Sequence, residues 1–442
     1  MATTLHEPAR ETPVVADCDV VVVGGSCTGV FAAVAAARLG RSVCLVEQLN
    51  QFGGTATASM VCVWHSLWDT KGELRITSGL TQQVMDRLAK RKVVVEQGRD
   101  NPHWQYAFVP AELAIELDAL VLEHRIRPFL PARVAAVVRD DRRIQAVIIE
   151  DVSGRRAIRA RAVIDASGNA DVLRRAGIAL RTHEALQPPT TAALVSGLQR
   201  VHAAQPGFNL GKTLFDPANP KALRNGFVWR APVPGNPDLQ LVFGTRVHGV
   251  DTSDADALTR AEMEGRRQVR QVVDLVREAC PQENVTLAAI PARIGIRETG
   301  HADCLHRLTE QEVLHGRRFD DAIANGSYRV DIHTQGGGGL IFRYYDGREV
   351  VVHADQTSTS GRWRPEQAVD PTFAQIPYRS LVPKAFDNVL VAGRCLDADP
   401  GAFGAVRVMV TCNQMGEAAG TAAALSLEDG RAMAAVEGPR LR

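Results

Sequence analysis

Asp17-Cys-Asp-Val-Val-Val-Val-Gly24-Gly-Ser-Cys-Thr-Gly29-Val-Phe-Ala-Ala-Val-Ala-Ala-Ala-Arg-Leu-Gly40-Arg-Ser-Val-Cys-Leu-Val-Glu47-Gln48 reads as one βαβ unit. Val20–Val23 is a short, wholly apolar, β-branched run, the pattern of a parallel strand buried on both faces. Gly24, Gly25 and Gly29 follow it, and then an alanine-rich helix that Gly40 closes at its C-terminus. Val43–Val46 forms a second strand, with Glu47 at its end.

The spacing carries chemistry. Glycines at the turn let the helix N-terminus approach a pyrophosphate, whose charge the orphan N–H groups and the helix dipole favour. Glu47 comes 18 positions after Gly29, near the ~20 expected of a carboxylate that binds a ribose hydroxyl. A glycine fingerprint alone is a weak signal. Strand, loop, helix, strand and acid in order make it a dinucleotide site. Ser26 stands where the middle glycine is usual, so its Cβ crowds the phosphate or its hydroxyl binds it, and Gly25 leaves room for either.

With 442 residues the chain has material for two domains and substantial cores. Its 51 basic and 50 acidic residues leave no strong field, which gives no support to nucleic-acid or membrane-surface binding. Met1–Ala16 is polar, lacks the apolar core of a signal peptide, and reads as a frayed tail. No apolar stretch is long enough to span a bilayer. The eight cysteines form no C-x-x-C pair and no zinc spacing. Cys18, Cys44 and Cys62 sit in apolar surroundings as reduced core residues, so the chain reads as cytoplasmic. Cys27, inside the glycine loop, is the one exposed candidate for a reactive thiol, with packing as the plainer role.

Further along, Gln51–Ser59 is too small and glycine-rich for a helix core and reads as a loop where backbone passes close to something flat. Helical spacing marks Gly79–Lys90, Pro110–Glu123 and, later, a long helix near Asp256–Glu278. Val134–Val138, Ile144–Glu150 and Arg156–Ile164 read as a β-meander running into Asp165-Ala-Ser-Gly168. Residues 186–374 differ in texture, with prolines, isolated aromatics and strand-like runs such as Leu239–Gly244. The nucleotide-domain texture then returns with the strand at Asn388–Gly393 and a final Ala/Gly-rich helix over Thr411–Leu427. Gly336–Gly339 reads as a flexible loop, since no helix follows it. The expected fold is therefore α/β: a Rossmann-like nucleotide domain with a parallel central sheet and a β-meander (residues 17–185 and 375–442), and an inserted α+β substrate or cap domain (186–374).

Several motifs in order resemble one family. They are Val21-Val-Val-Gly-Gly-Ser-Cys-Thr-Gly29 with Glu47, Gly53-Gly-Thr-Ala-Thr57, Val163-Ile-Asp-Ala-Ser-Gly-Asn-Ala-Asp171, Arg297-Glu-Thr299 and Asp331-Ile-His333. Ile376-Pro-Tyr-Arg-Ser-Leu-Val-Pro-Lys384, Leu390-Val-Ala-Gly-Arg-Cys395, Arg407-Val-Met409 and Gly416-Glu-Ala-Ala-Gly420 complete the set. From about Asp19 to Leu425 the chain is similar to the FAD-dependent oxidoreductases with a glutathione-reductase-like flavin domain, related to the fumarate reductase and succinate dehydrogenase flavoproteins. The resemblance implies FAD. It places the ADP half on Gly24, Gly25, Ser26, Thr28, Gly29, Glu47 and Gln48, the isoalloxazine along Gly54, Thr55 and Ala56, and the adenine side at Arg133 and Val134. Ser167-Gly168 takes the place of the usual Thr-Gly beside the pyrophosphate. Gly393 ends a strand that in the wider group precedes a flavin-binding aspartate. Here Arg394 follows, with Asp397 as a possible substitute. Arg407, Val408 and Met409 are implied to start the last helix with its N-terminus at the flavin N1 and O2 atoms.

Because a flavin carries the redox chemistry, the protein must position substrate and manage one proton. His333, His301, His65, Arg297 and Arg407 are the candidates for that work, each also explicable as a loop histidine, a core histidine or a structural ion pair. His301, Asp303, Cys304 and His306 fit no zinc spacing, so no metal site is expected. The leading expectation is an enzyme, a dehydrogenase or oxidase, that moves a hydride from a small anionic organic substrate to FAD. The alternatives are a flavin hydroxylase that uses NAD(P)H, or a non-catalytic flavin-binding protein. A small-molecule substrate and a homo-oligomer are the expected partners.

Overall fold

Strand β1 (Val14–Val23) pairs in parallel on both sides. On one side lies β2 (Val43–Val46), in register from Val20↔Val43 to Val23↔Val46. On the other lies the long strand Gly154–Asp165, from Val14↔Ala157 to Val23↔Asp165. Arg127–Phe129 adds beyond β2, and Val389–Val391 pairs in parallel with the far end of Gly154–Asp165. The computed structural model describes residues 4–98, 104–224, 226–334, 339–353 and 357–441.

The near half of Gly154–Asp165 pairs antiparallel with Ile144–Asp151, which pairs in turn with Arg133–Arg139. Meander and parallel sheet are thus one seven-stranded sheet with a shared twelve-residue strand. That length is also why β1 begins at Val14, inside the stretch read as a tail: Val14 has a partner in Ala157. Helix α1 (Cys27–Arg38) covers one face of β1 together with the final helix, Met409–Asp429. A Cβ at Gly416 or Gly420 would overlap Thr28 O or Ala32 O, so these two helices touch backbone to backbone. Gly79–Lys90 and Pro110–Glu123 are helices with the expected bounds, and the long one runs Ala255–Ala279.

Between residues 186 and 374 lie two four-stranded antiparallel sheets. One, ordered Trp229–Val233, Asn236–Phe243, Ala193–Ser196, Thr286–Ala289, is backed by Ala255–Ala279, whose Val269, Val272, Val273 and Val276 pack with Val195, Leu198 and Val242. The other joins Val330–His333, Leu340–Arg343, Arg348–Val352 and Ser358–Arg362. Of the glycine run, Gly336, Gly337 and Gly338 lie outside the described residues. One long cavity runs between the large sheet and these two sheets, with walls from all three. Among the described residues no helix is long and apolar enough to cross a membrane. All eight cysteines are free and buried.

Candidate active site

The cavity starts at the turn after β1. Gly24 has φ +99°, and a Cβ at Gly29 would overlap Gly24 O, so the strand meets the helix with no room for side chains. Ser26 caps α1 in extended backbone without a side-chain cap bond, which leaves the first N–H groups of a twelve-residue helix facing the cavity. The Ser26 Cβ is accommodated by a second glycine: Gly54, at φ +53°, is where a Cβ would stand 2.9 Å from it. The buried Glu47 takes the Gly25 N–H on Oε2 at 2.6 Å and the Leu49 N–H on Oε1 at 2.8 Å. Burial raises its carboxyl above the ordinary value, against those N–H bonds.

Of the residues assigned to the cofactor, Gly24, Ser26, Thr28, Glu47, Gln48, Gly54, Thr55, Arg133, Val134, Ser167, Gly168, Gly393, Arg394, Arg407, Val408 and Met409 line this cavity. Gly25, Gly29 and Ala56 are absent from its wall. Gly25 packs on Phe52 and Glu47, Gly29 supports Gly24 O from behind, and Ala56 is core. Two expectations are corrected. Cys27 lines the cavity but is buried, and desolvation pushes its thiol up to about 12, so it is not an exposed reactive group. Asp397 does not replace the missing aspartate. It is fully buried against the Arg181 guanidinium, 2.7 Å away, and accepts the Cys304 N–H.

The far end of the cavity is a chamber of charge. Arg246 is buried, donates from Nε to His333 Nδ1 at 3.2 Å, and is anchored by Nη1 on Thr190 Oγ1 and Thr245 O. Arg297 reaches the same Thr190 Oγ1 at 2.6 Å and Pro188 O, rather than its chain neighbour Glu298. Arg407 donates from Nη2 to Asp331 Oδ2 at 3.2 Å, which Tyr328 also meets with its hydroxyl at 3.2 Å. Arg329 lies over the rings of Tyr328 and Phe342. Arg246, Arg297 and Arg407 thus surround the Asp331 carboxylate, with Arg329 on the rings beside it. Desolvation, then repulsion from neighbouring arginines, pulls Arg297 well below the ordinary range; Arg246 falls to about 10, chiefly by burial. Burial, and then Arg297, Arg246 and Arg407, holds His333 well below 6.5 and therefore neutral.

The structure brings His333, Arg297, Arg407 and His65 to this chamber, His65 resting against the Tyr328 ring at 4.2 Å. It does not bring His301. That side chain is 1% exposed outside the cavity, with Nδ1 3.1 Å from Leu396 O and Nε2 3.2 Å from Glu298 Oε1.

The sequence profile of the family described as FAD dependent oxidoreductase matches residues 19–442. The chain belongs to that family. This FAD-dependent oxidoreductase is an enzyme whose cofactor is FAD. No curated protein matches its sequence. Among solved structures it is similar to a geranylgeranyl bacteriochlorophyll reductase-like protein from Thermoplasma acidophilum (12% identity, 94% of this chain and 80% of that one, TM-score 0.47). It is similar also to the p-nitrophenol 4-monooxygenase PnpA from Pseudomonas putida (11%, 95% and 82%, 0.47). A third is PqsL, a probable FAD-dependent monooxygenase from Pseudomonas aeruginosa (15%, 96% and 90%, 0.44).

The polar atoms left bare along the cavity fit the flavoenzyme's cofactor. Asn413, 1% exposed at the fifth position of the final helix, has neither side-chain Nδ2 nor Oδ1 bonded among the described residues, and the N-cap of that helix, Val408, gives no side-chain cap. Arg394 lies over Gly168 with Nη1 bare, a cation beside the turn assigned to the pyrophosphate. Asn413, Arg246, Arg329, Tyr328 and Arg293 line the cavity and were not among the sequence candidates. Asn413 and the Tyr328-Arg329 pair sit next to motifs already recognised. Arg246, isolated in Gly244-Thr-Arg-Val-His248, carries no local signal.

Proposed function

We propose that this enzyme oxidises a small anionic organic substrate, its carboxylate held by the arginine chamber, with residues 186–374 acting as the cap over the reacting end. The observation that carries the reading is that Arg246, Arg297, Arg329 and Arg407 all line one end of the cavity, where Arg407 meets the Asp331 carboxylate. Bound FAD would supply the two-electron acceptor for this oxidation. Gly24, Ser26, Thr28, Glu47, Ser167 and Gly168 would hold its ADP and pyrophosphate portions. Gly54, Thr55, Val408, Met409 and Asn413 would hold its ring.

Arg297 and Arg246 share Thr190 Oγ1, which fixes two guanidinium groups side by side as a clamp for the substrate's negative group. Neutral His333 accepts the Arg246 N–H on Nδ1, so its own proton sits on Nε2, 3.5 Å from Asp331 Oδ1. Among the described residues Asp331 Oδ1 has no hydrogen-bond partner. In this reading His333 Nε2–H orients the substrate heteroatom, and Asp331 Oδ1 takes the proton released as the hydride leaves. Arg407 holds the other carboxylate oxygen, Oδ2, at 3.2 Å, which fixes how Oδ1 is presented.

Anaerobic mixing of the yellow protein with panels of carboxylic acids, without nicotinamide, tests the proposal. Bleaching of the flavin absorbance by an anionic substrate supports it. Bleaching only when NAD(P)H is added favours a hydroxylase, and failure to take up FAD favours a non-catalytic role.

A further inference from the structure

Outside the cavity lining, His183, Glu298 and His301 bring three potential ligand atoms within 4.8 Å of one another. Their side chains are 6%, 1% and 1% exposed. His183 Nδ1 and His301 Nε2 both point at Glu298 Oε1, the first in a very short contact and the second at 3.2 Å. The remote nitrogens are also engaged: His183 Nε2 lies 3.1 Å from Ala398 O and His301 Nδ1 lies 3.1 Å from Leu396 O.

All four ring nitrogens therefore face an oxygen. A carbonyl only accepts, so each remote nitrogen carries its proton there, and a neutral imidazole has no second one. Three lone pairs then converge on one point: His183 Nδ1, His301 Nε2 and Glu298 Oε1. Something positive must lie among them. The two rings stand 4.4 Å apart, centroid to centroid, and both pack against the Phe403 ring. A metal ion satisfies the same lone pairs with neutral rings. The arrangement of each histidine, one nitrogen to the centre and the other N–H to a backbone carbonyl, is the support that metal-binding histidines have. Gln187 supplies a second, independent sign. Its N–H holds Glu298 Oε2 at 2.8 Å, and its side-chain Oε1 is buried without a hydrogen-bond partner among the described residues.

We propose that His183, Glu298 and His301 form a structural site for a divalent cation of the zinc class. Binding asks the short His183–Glu298 contact to open until each atom stands about 2.0–2.2 Å from the metal. The ion would tie three separate stretches of chain: 183–187, 297–301 and 396–398. It would also set the backbone of Arg297, the neighbour of Glu298 that lines the chamber. The site is closed to substrate, so its role is to hold the chamber wall and not to react.

The FAD-loaded full chain is equilibrated with Zn2+, desalted, and assayed for metal by plasma emission, with Co2+ loaded in parallel for its visible ligand-field bands. One Zn2+ per chain, with Co2+ bands of a four-coordinate nitrogen–oxygen site, is the expected result. Glu298→Gln and His183→Asn are expected to lose at least nine-tenths of that metal. The melting temperature of the unaltered chain should rise with Zn2+ and fall with a chelator, a readout that holds even where a variant does not fold. Failure of the unaltered chain to retain either ion, with a melting temperature indifferent to both, overturns the proposal and leaves the cluster held by protons. Full metal content in a folded Glu298→Gln protein overturns it equally.

Discussion

The two ends of the cavity are built by opposite means. At the β1–α1 turn the ligand-facing groups are mostly backbone: bare N–H groups at the start of α1, glycines that admit close approach, and one carboxylate whose oxygens are fixed by N–H donors two and 22 residues away. At the chamber they are side chains: Arg246, Arg297, Arg329, Asp331, His333 and Arg407 come from four separated stretches of chain and hold one another through Thr190, Tyr328 and carbonyls. A backbone cradle recognises what every ligand of the fold shares, a diphosphate. A side-chain chamber recognises what is particular to one substrate, because side chains change without disturbing the sheet.

Substitutions should therefore fail differently at the two ends. The largest effect is expected from Gly29→Ala, whose methyl would drive into Gly24 O and force the turn apart. Overpacking of about 3 kcal/mol corresponds to a loss of FAD affinity on the order of 10²-fold. The flavin-to-protein absorbance ratio after desalting measures it, and an unchanged ratio would refute a close-packed cradle. His333→Ala should leave that ratio intact while slowing flavin reduction by ~10², the usual effect of losing a group that manages a proton. Normal reduction rates in rapid-mixing experiments on a well-folded protein would end the role assigned to it.

Next in size, Arg297→Ala removes a charge-assisted contact of about 1.5–3 kcal/mol, so half-maximal reduction should require roughly 10- to 100-fold more substrate at a similar limiting rate. On the cradle side, Glu47→Ala should weaken FAD by about 1–3 kcal/mol through lost ribose hydrogen bonds, without altering substrate preference. Equilibrium dialysis of released FAD checks this.

The smallest effect is on pH. Burial and the arginines depress His333 well below 6.5, so below pH 6.5 the unfolded chain binds a proton that the folded one refuses. Stability should fall as pH drops from 6.5, by up to about 1.4 kcal/mol per pH unit from this group, and not change above it. Denaturant melts of wild type and His333→Asn between pH 5 and 8 should show the slope reduced in the variant. Parallel slopes would mean that His333 takes up its proton in the folded state.

What could be read from the residues in order was whatever depends on neighbours in the chain. The βαβ unit with its glycine turn, the meander, and the helices at Gly79–Lys90 and Pro110–Glu123 all rest on periodicity and on glycines at fixed offsets, properties that span a few dozen residues at most. Folding alone decided which distant charges meet. Arg297 and Glu298 are adjacent in sequence, yet the first turns to Thr190 in the chamber and the second to two histidines outside it. Arg246 sits 87 residues from His333 and donates to its ring; Cys27 lies in an exposed-looking loop and is sealed by packing. Hydrophobic periodicity is a local property, because each strand or helix must bury one face wherever it lands. Desolvation and pairing of charge depend on what lands opposite, and that is settled only when separate segments pack.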